Sequence, residues 1–286
     1  MDAELNCVER DFVEFMSQKT GKPIAAVERL FCQTRRRFRF ADTRYSRLTG
    51  DLAHLYRLLY DTDTEEGMIE CYQVHALPNL LKYISYTYPK PKTRYFRDLV
   101  RDVRKLEWRN AWNLLRRKLV RKAKTSGVHL GPRGIAEVLT SLVDGPPVVV
   151  DYGSGLAYIS YEIAGLRSDS AIFLLDVESL VLEFALFRLK KTGATVHAIP
   201  VTKENIYPEL PDHNICIASE VMEHLAQPLK AYDNIFRSLR PGGLLYGRFD
   251  DHQPNMYHVS PNLCALRRRL AEDFEQVDQW CYRKKG

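Results

Sequence analysis

Long apolar runs are missing from the 286 residues: nowhere do about 18 hydrophobic residues follow one another, which argues against a membrane-spanning helix. The six cysteines (7, 32, 71, 216, 264 and 281) are scattered and form no CxxC pair, so neither a zinc-binding spacing nor a disulfide framework is present. The first residues, "MDAELNCVERDFVEF", carry acids where a secretory leader would need a basic end and an apolar core. Scattered thiols and such a beginning lead to the expectation of a cytoplasmic protein with reduced cysteines. Internal repeats and low-complexity tracts are absent as well. What remains is an ordinary globular composition, 45% hydrophobic and 27% charged, long enough for one large domain or for a domain with a smaller companion.

The net charge of +6 is unevenly spread. Between Arg94 and Lys124 there are twelve Lys and Arg against only Asp98, Asp102 and Glu107, so this segment carries a local excess of nine positive charges. Its apolar residues Leu99, Val103, Leu106, Trp108, Trp112, Leu115 and Leu119 recur mostly every three or four positions, which predicts a long amphipathic helix with a basic outer face. A solvated face is the default reading of such charge, and an anionic partner is the functional one.

The remaining part of the first 125 residues also reads as helix. "NCVERDFVEFMSQKTG" has apolar residues at 8, 12, 13, 15 and 16, and Gly21 and Pro23 mark a stop and restart before "IAAVERLFCQTRRRF", with Val27, Leu30 and Phe31 on one face. Tyr56, Tyr60, Tyr72, Tyr83, Tyr86 and Tyr88 fall at helical spacing and suit a core better than a pocket wall. The texture changes at "DGPPVVVDYGSG". From there, short apolar runs ("VVVD", "AIFLLD", "TVHAIP", "NICIAS", "LLYGRF") alternate with helical segments. Such alternation implies βαβ units and a doubly wound, mainly parallel sheet covered on both faces. The expected organisation is therefore a helical region over 1–125 and an α/β domain over 126–286, with "GIAEVLTSLV" as a helix leading into the first strand.

The chemistry is expected at "VVVDYGSGLA". A buried strand delivers the chain to a tight turn in which Gly153 and Gly155 permit backbone angles and close approaches that side chains would block. The following helix offers unpaired N–H groups and the positive end of its dipole. Asp151 stands at the strand's carboxyl end, where open α/β sheets bind ligands. Twenty-five residues on, Asp176 ends "AIFLLD" and is placed to accept both hydroxyls of a ribose. Two ligand classes meet this description. A dinucleotide site favours a third glycine at the position of Tyr158, and an acid at Asp151 repels a pyrophosphate; the same acid suits a ligand bearing an ammonium group.

Four motifs in order resemble the core of the class I S-adenosylmethionine-dependent methyltransferases, over residues 147 to about 250. They are "VVVDYGSGLA", with Ala157 where the family usually has its last glycine; Asp176 on the second strand; "ICIASEVMEHL", similar to the common "VLEH" run but with Met222 in place of leucine; and "LRPGG" followed by "LLYGRF". The resemblance implies a Rossmann-like fold, S-adenosyl-L-methionine as cofactor and methyl transfer as the activity. It also implies roles: Gly153, Gly155 and Ala157 against the methionine portion, Asp151 near its ammonium, and Asp176 on the ribose. Glu204 or Asn205 would lie by the adenine, in a loop that lacks the family's frequent "GDA". Ser219 and Glu220 would border the point of transfer, with His224 nearby.

An acceptor hydroxyl or protonated amine needs a base, and the places to look are just past strands four and five. "RFDDHQPNMYHVSP" supplies Asp250, Asp251, His252, Tyr257 and His258 in nine residues. The candidate catalytic set is thus Glu220, His224, His252 and His258. No metal is assigned, because the ligand spacing in this loop matches no metal motif. Beyond it, "PNLCALRRRLAEDF" reads as a helix and "FEQVDQWCYRK" as a final strand. So few residues remain that one strand of the family's closing hairpin is expected to be missing, which leaves an edge for the helical region or for another chain, a second copy among them. The expected activity is methyl transfer to an oxygen, nitrogen or carbon of a small molecule. The alternatives are a binding or scaffold protein that keeps the fold without turnover, and an enzyme acting on nucleic acid or an acidic carrier protein through the 94–124 face.

Overall fold

A computed structural model of the chain describes residues 5, 7–29, 31–32, 66–67, 69, 73, 131–251 and 258–286. The basic 94–124 segment, the six tyrosines named above and His252 lie outside the described residues.

Helix α1 (Cys7–Thr20) and a further helical stretch over 24–29 open the chain. Gly21 between them takes φ +67°, as the predicted stop requires. The α/β part begins at α2 (Pro132–Leu142) and runs through β1 (Val148–Tyr152), α3 (Tyr158–Leu166), β2 (Ala171–Val177), α4 (Leu180–Lys190), β3 (Thr195–Val201) and β4 (His213–Ile217). After a single 3-10 turn at Met222–His224 come α5 (Pro228–Ser238), β5 (Leu239–Tyr246), α6 (Cys264–Asp273), β6 (Phe274–Asp278) and β7 (Cys281–Lys284). The seven strands lie in the order β3-β2-β1-β4-β5-β7-β6. β1 pairs in parallel with β2 on one side and with β4 on the other, so the order reverses direction between β1 and β4. At such a switch point the two flanking connections leave in opposite directions and open a crevice at the strands' carboxyl ends.

The period of two along each strand explains both cores. Val149, Ile172, Leu174, Ile215, Ile217 and Leu244 face α2, α3 and α4 through Ala136, Leu139, Ile163, Ala164, Leu182, Ala185 and Leu189. Their neighbours Val150, Tyr152, Leu175, Cys216 and Leu245 face Ala231, Tyr232, Ile235, Leu266 and Leu270 of α5 and α6. Burial on both faces is why the strands read as continuous apolar runs. The register of β1 is set at its start by Asn214, whose side-chain oxygen accepts from Val148 N–H at 2.8 Å and whose amide donates to the Pro146 carbonyl at 3.2 Å.

A third core joins the amino-terminal helices to this domain. Phe12, Val13, Phe15, Val27 and Phe31 pack with Val181 and Phe184 of α4 and with Leu156 of the glycine loop. Phe12 meets the Phe184 ring edge-on with 5.7 Å between centroids. Arg188, buried on α4, pairs through Nε with Asp11 at 3.2 Å and lies 4.3 Å over the Tyr161 ring. Helix α1 therefore buttresses the loop that the sequence singles out.

Two expectations are corrected. The carboxyl-terminal hairpin is complete: β6 and β7 pair antiparallel, and β7 continues on β5. Both strands fit because they are short and because only Gln279 and Trp280 separate them. "RPGG" does not precede strand five but lies within it. The pairing with β4 jumps from His213↔Leu239 to Ile215↔Leu244, and the extra residues form a bulge in which Gly242 takes φ +74°. Among the described residues, no helix is long and apolar enough to cross a membrane.

Candidate active site

The turn after β1 is built from three left-handed residues: Gly153 at φ +70°, Gly155 at +50° and Ala157 at +51°. Gly153 is obligatory for a second reason. A Cβ there would stand 2.8 Å from Val221 Cβ and closer still to its Cγ2, so the loop is pressed against the residue that follows β4. Gly153 and Ser154 donate their N–H groups to the Leu175 carbonyl of β2, at 2.8 and 3.1 Å. Gly155 differs: a Cβ built on it meets nothing within 4 Å, so the space beside it is open.

The Gly155 N–H donates to Asp176 Oδ2 at 2.6 Å, and Val177 N–H donates to Asp176 Oδ1 at 2.7 Å. Burial raises the Asp176 pKa, an effect opposed by these two donors. Asp151 is 4% exposed and accepts from Ser160 Oγ at 2.6 Å. Its pKa is pushed up to about 7, chiefly by burial and further by the charge of Asp176, against the lowering effect of Ser160. Two carboxylates thus flank the glycine turn, one on β1 and one on β2.

Across the crevice, Ser219 is half-buried and Glu220 exposed, just past β4. Glu220 takes φ +56°, a strained angle for a residue with a side chain, and pairs with Arg248 at 3.3 Å. Arg248 also reaches Asp250 at 3.2 Å and lies 5.3 Å over the Trp280 ring. Glu204 and Asn205 are exposed on a turn immediately beyond β3, closed by Asn205 N–H to the Thr202 carbonyl at 3.1 Å. Of the four candidate catalytic residues, the structure brings His224 and His258 together, with 5.2 Å between ring centroids. It directs Glu220 to Arg248 instead.

Further residues shape this geometry. Val221 sets the loop's approach, Ser160 holds Asp151, and Arg248 holds Glu220. Ser160 had a local signal, a hydroxyl in the first turn of the helix after the glycines. Val221 lies in the "VMEH" run and reads there as a packing residue, but its partner Gly153 is distant in sequence; Arg248 carries no signal, because Glu220 is distant too.

Residues 147–284 match the family model described as a methyltransferase domain. Over these residues the chain is similar to methyltransferase domains. Its matched span starts one residue before β1 and ends with β7. No curated protein matches the chain. Solved structures that it resembles include the precorrin-6y C5,15-methyltransferase from Geobacter metallireducens GS-15, with 23% identity over 40% of this chain and 59% of that one and a TM-score of 0.32. An rRNA methylase from Streptococcus thermophilus shows 20% identity over 55% of this chain and 98% of that one, with a TM-score of 0.40. The plantazolicin methyltransferase BpumL in complex with SAH shows 12% identity, covering 50% and 64% of the two chains, with a TM-score of 0.38. The chain spans about half the length of the first solved structures it matches.

Proposed function

We propose that the methyltransferase domain uses S-adenosylmethionine and transfers its methyl group to an oxygen, nitrogen or carbon atom of a small-molecule acceptor. The observation that carries this reading is the pair of carboxylates around the glycine turn. Asp151 would hold the ammonium of the methionine portion, and Asp176, with lone pairs left after its two backbone bonds, would accept the ribose hydroxyls. The open space beside Gly155 gives the methionine portion a backbone to lie against. Tyr158 supports the same choice against a dinucleotide. It occupies the position of a third glycine, and its ring packs beneath Arg188, 5.6 Å from the guanidinium, where a pyrophosphate would need bare backbone.

S-adenosylmethionine, when bound, supplies an electrophilic methyl carbon whose transfer discharges a sulfonium. Most of what the protein must add is position. Ser160 orients Asp151, Val221 fixes the loop against the β4 turn, and α1 supports the loop from behind through Leu156. Glu204 and Asn205, on the turn beyond β3, are the residues we assign to the adenine edge, and Ser219 to the neighbourhood of the transfer point. An anionic acceptor, nucleic acid or an acidic carrier, remains the alternative on the strength of the basic 94–124 segment.

Calorimetry with S-adenosylmethionine, S-adenosylhomocysteine and NAD tests the first step. Binding of the first two and not of NAD is the expected result; NAD binding alone would overturn it. A metabolite screen read by release of S-adenosylhomocysteine then separates an enzyme from a cofactor-binding scaffold. Salt-sensitive binding of nucleic acid would favour the alternative acceptor.

A further inference from the structure

The turn after β4 and the start of the segment before α6 carry a cluster that the cofactor reading leaves unused. Glu223, His224 and His258 each offer one ligand atom, and the three atoms all lie within 4.8 Å of one another. His224 Nε2 is 3.8 Å from Glu223 Oε1. Glu223 is 1% exposed, and the two histidines are half-buried. A carboxylate this deep in the protein faces little competition from bulk water for a cation.

The backbone holds these residues in place. His224 N–H donates to the Val221 carbonyl at 3.0 Å, closing the 3-10 turn. Two residues beyond His258, Ser260 donates its N–H to the Glu223 carbonyl at 3.0 Å and its hydroxyl to the Leu225 carbonyl at 2.7 Å. The segment bearing His258 is thereby tied to the turn bearing the other two. That is the support a ligand set needs to be formed before the ligand arrives.

We propose that Glu223, His224 and His258 bind one divalent transition-metal ion. Two imidazoles and one carboxylate suit zinc, cobalt, manganese or iron, and a three-ligand set leaves coordination positions open. Magnesium, which favours an all-oxygen shell, is disfavoured by the two histidines. At metal–ligand bonds of about 2.1 Å, tetrahedral ligand atoms stand roughly 3.4 Å apart. Closing from 4.8 Å is a side-chain adjustment for half-buried imidazoles.

The location gives the ion a task, and this step rests on the function proposed above. Val221, which packs on Gly153, lies two residues before Glu223, and β4 flanks β1 on the side opposite β2 and Asp176. The ion thus belongs on the acceptor side of the crevice, and its open positions select an acceptor bearing a hydroxyl. The ion lowers the pKa of that hydroxyl, whose proton passes to water. An oxygen pair forms the new bond to the methyl carbon, and the electron pair of the broken carbon–sulfur bond stays on sulfur.

The test uses the full chain, stripped with chelator and titrated with Co2+ and with Zn2+, without cofactor. One Co2+ per chain, a visible absorption band of a nitrogen-and-oxygen site and a Zn2+-dependent rise in melting temperature are expected. In His258→Asn and His224→Asn, metal affinity should fall by at least about 10-fold while the melting temperature in chelator stays unchanged. No binding by the wild-type chain, or binding that survives both substitutions, would overturn the site. S-adenosylhomocysteine calorimetry on the same samples keeps the two readings apart. Cofactor binding without metal binding sinks the metal site alone, and metal binding without cofactor binding sinks the donor reading and leaves the ion site standing.

Discussion

Gly155 donates its backbone N–H to the carboxylate of Asp176 at 2.6 Å, so the glycine turn after β1 is fastened to the tip of β2. One side chain therefore shapes the loop, and in the proposed reading the same carboxylate takes the ribose. Asp176→Asn keeps the size of the group and removes its charge. Hydrogen bonds to a charged acceptor contribute about 1.5–3 kcal/mol, which corresponds to roughly 10- to 150-fold in affinity. Calorimetry with S-adenosylhomocysteine should show a loss in that range in a variant whose fold, by circular dichroism, is unchanged. A loss below about threefold would mean that the ribose is held elsewhere.

Asp151 predicts a pH dependence. Its folded-state pKa of about 7 lies above the ordinary 3.8, so between those values the folded chain keeps a proton that the unfolded chain has lost. Stability contributed by this group must therefore fall as pH rises through that window and level off above it, with a slope of at most about 1.4 kcal/mol per pH unit. Asp151→Asn removes the slope. Urea denaturation at pH 5 and pH 8 should show the variant gaining on the wild type at the higher pH. An ammonium beside Asp151 favours the anion, so S-adenosylmethionine binding near pH 7 should release protons. Titrations in two buffers of different ionisation enthalpy measure that release, and identical apparent enthalpies would refute it.

The central strands β1 and β4 are legible because burial on both faces makes each an apolar run, and the glycine loop because left-handed angles select small residues. Legibility stops where partners are distant in sequence. The β6–β7 hairpin reads as one strand because its two-residue loop, Gln279 and Trp280, contains none of the glycine or asparagine that usually marks such turns. The bulge at "RPGG" reads as an ordinary turn until the β4 pairing shows the strand resuming on the far side. In "EVMEHL" the sequence offers Val221, Met222 and Leu225 as packing residues and gives Glu223 no partner; the Ser260 bonds reveal that a segment some 35 residues later returns to it.

The contact of Gly153 with Val221 is testable as a coupling. Gly153→Ala adds a left-handed alanine, costing about 1–2 kcal/mol, and an overlap with Val221 costing roughly 1–3 kcal/mol. Val221→Ala makes room for the new methyl group, so the double variant should recover the steric part and retain the backbone part. A thermodynamic cycle from denaturant melts should give a favourable coupling of about 1 kcal/mol or more. Additive losses would show that the loop moves away from Val221 when crowded.

Ala157 adopts φ +51° and ψ +41° with its methyl group buried in the core beside α3, where the resemblance calls for glycine. Two effects oppose each other at this position. The left-handed conformation costs an alanine about 1–2 kcal/mol relative to glycine, and the buried methyl group contributes about 0.8 kcal/mol. Ala157→Gly should therefore leave stability unchanged or raise it by up to about 1 kcal/mol, and because the loop keeps its course, S-adenosylhomocysteine affinity should stay within about twofold. Ala185, fully buried in the middle of α4, is the control, since there the same substitution loses the methyl group and roughly 1 kcal/mol of helix propensity with no strain to relieve. Thermal melts should separate the two variants by about 2 kcal/mol. Equal destabilisation would show that residue 157 does not hold the left-handed angle in solution, and that this loop is shaped differently from the glycine turn it resembles.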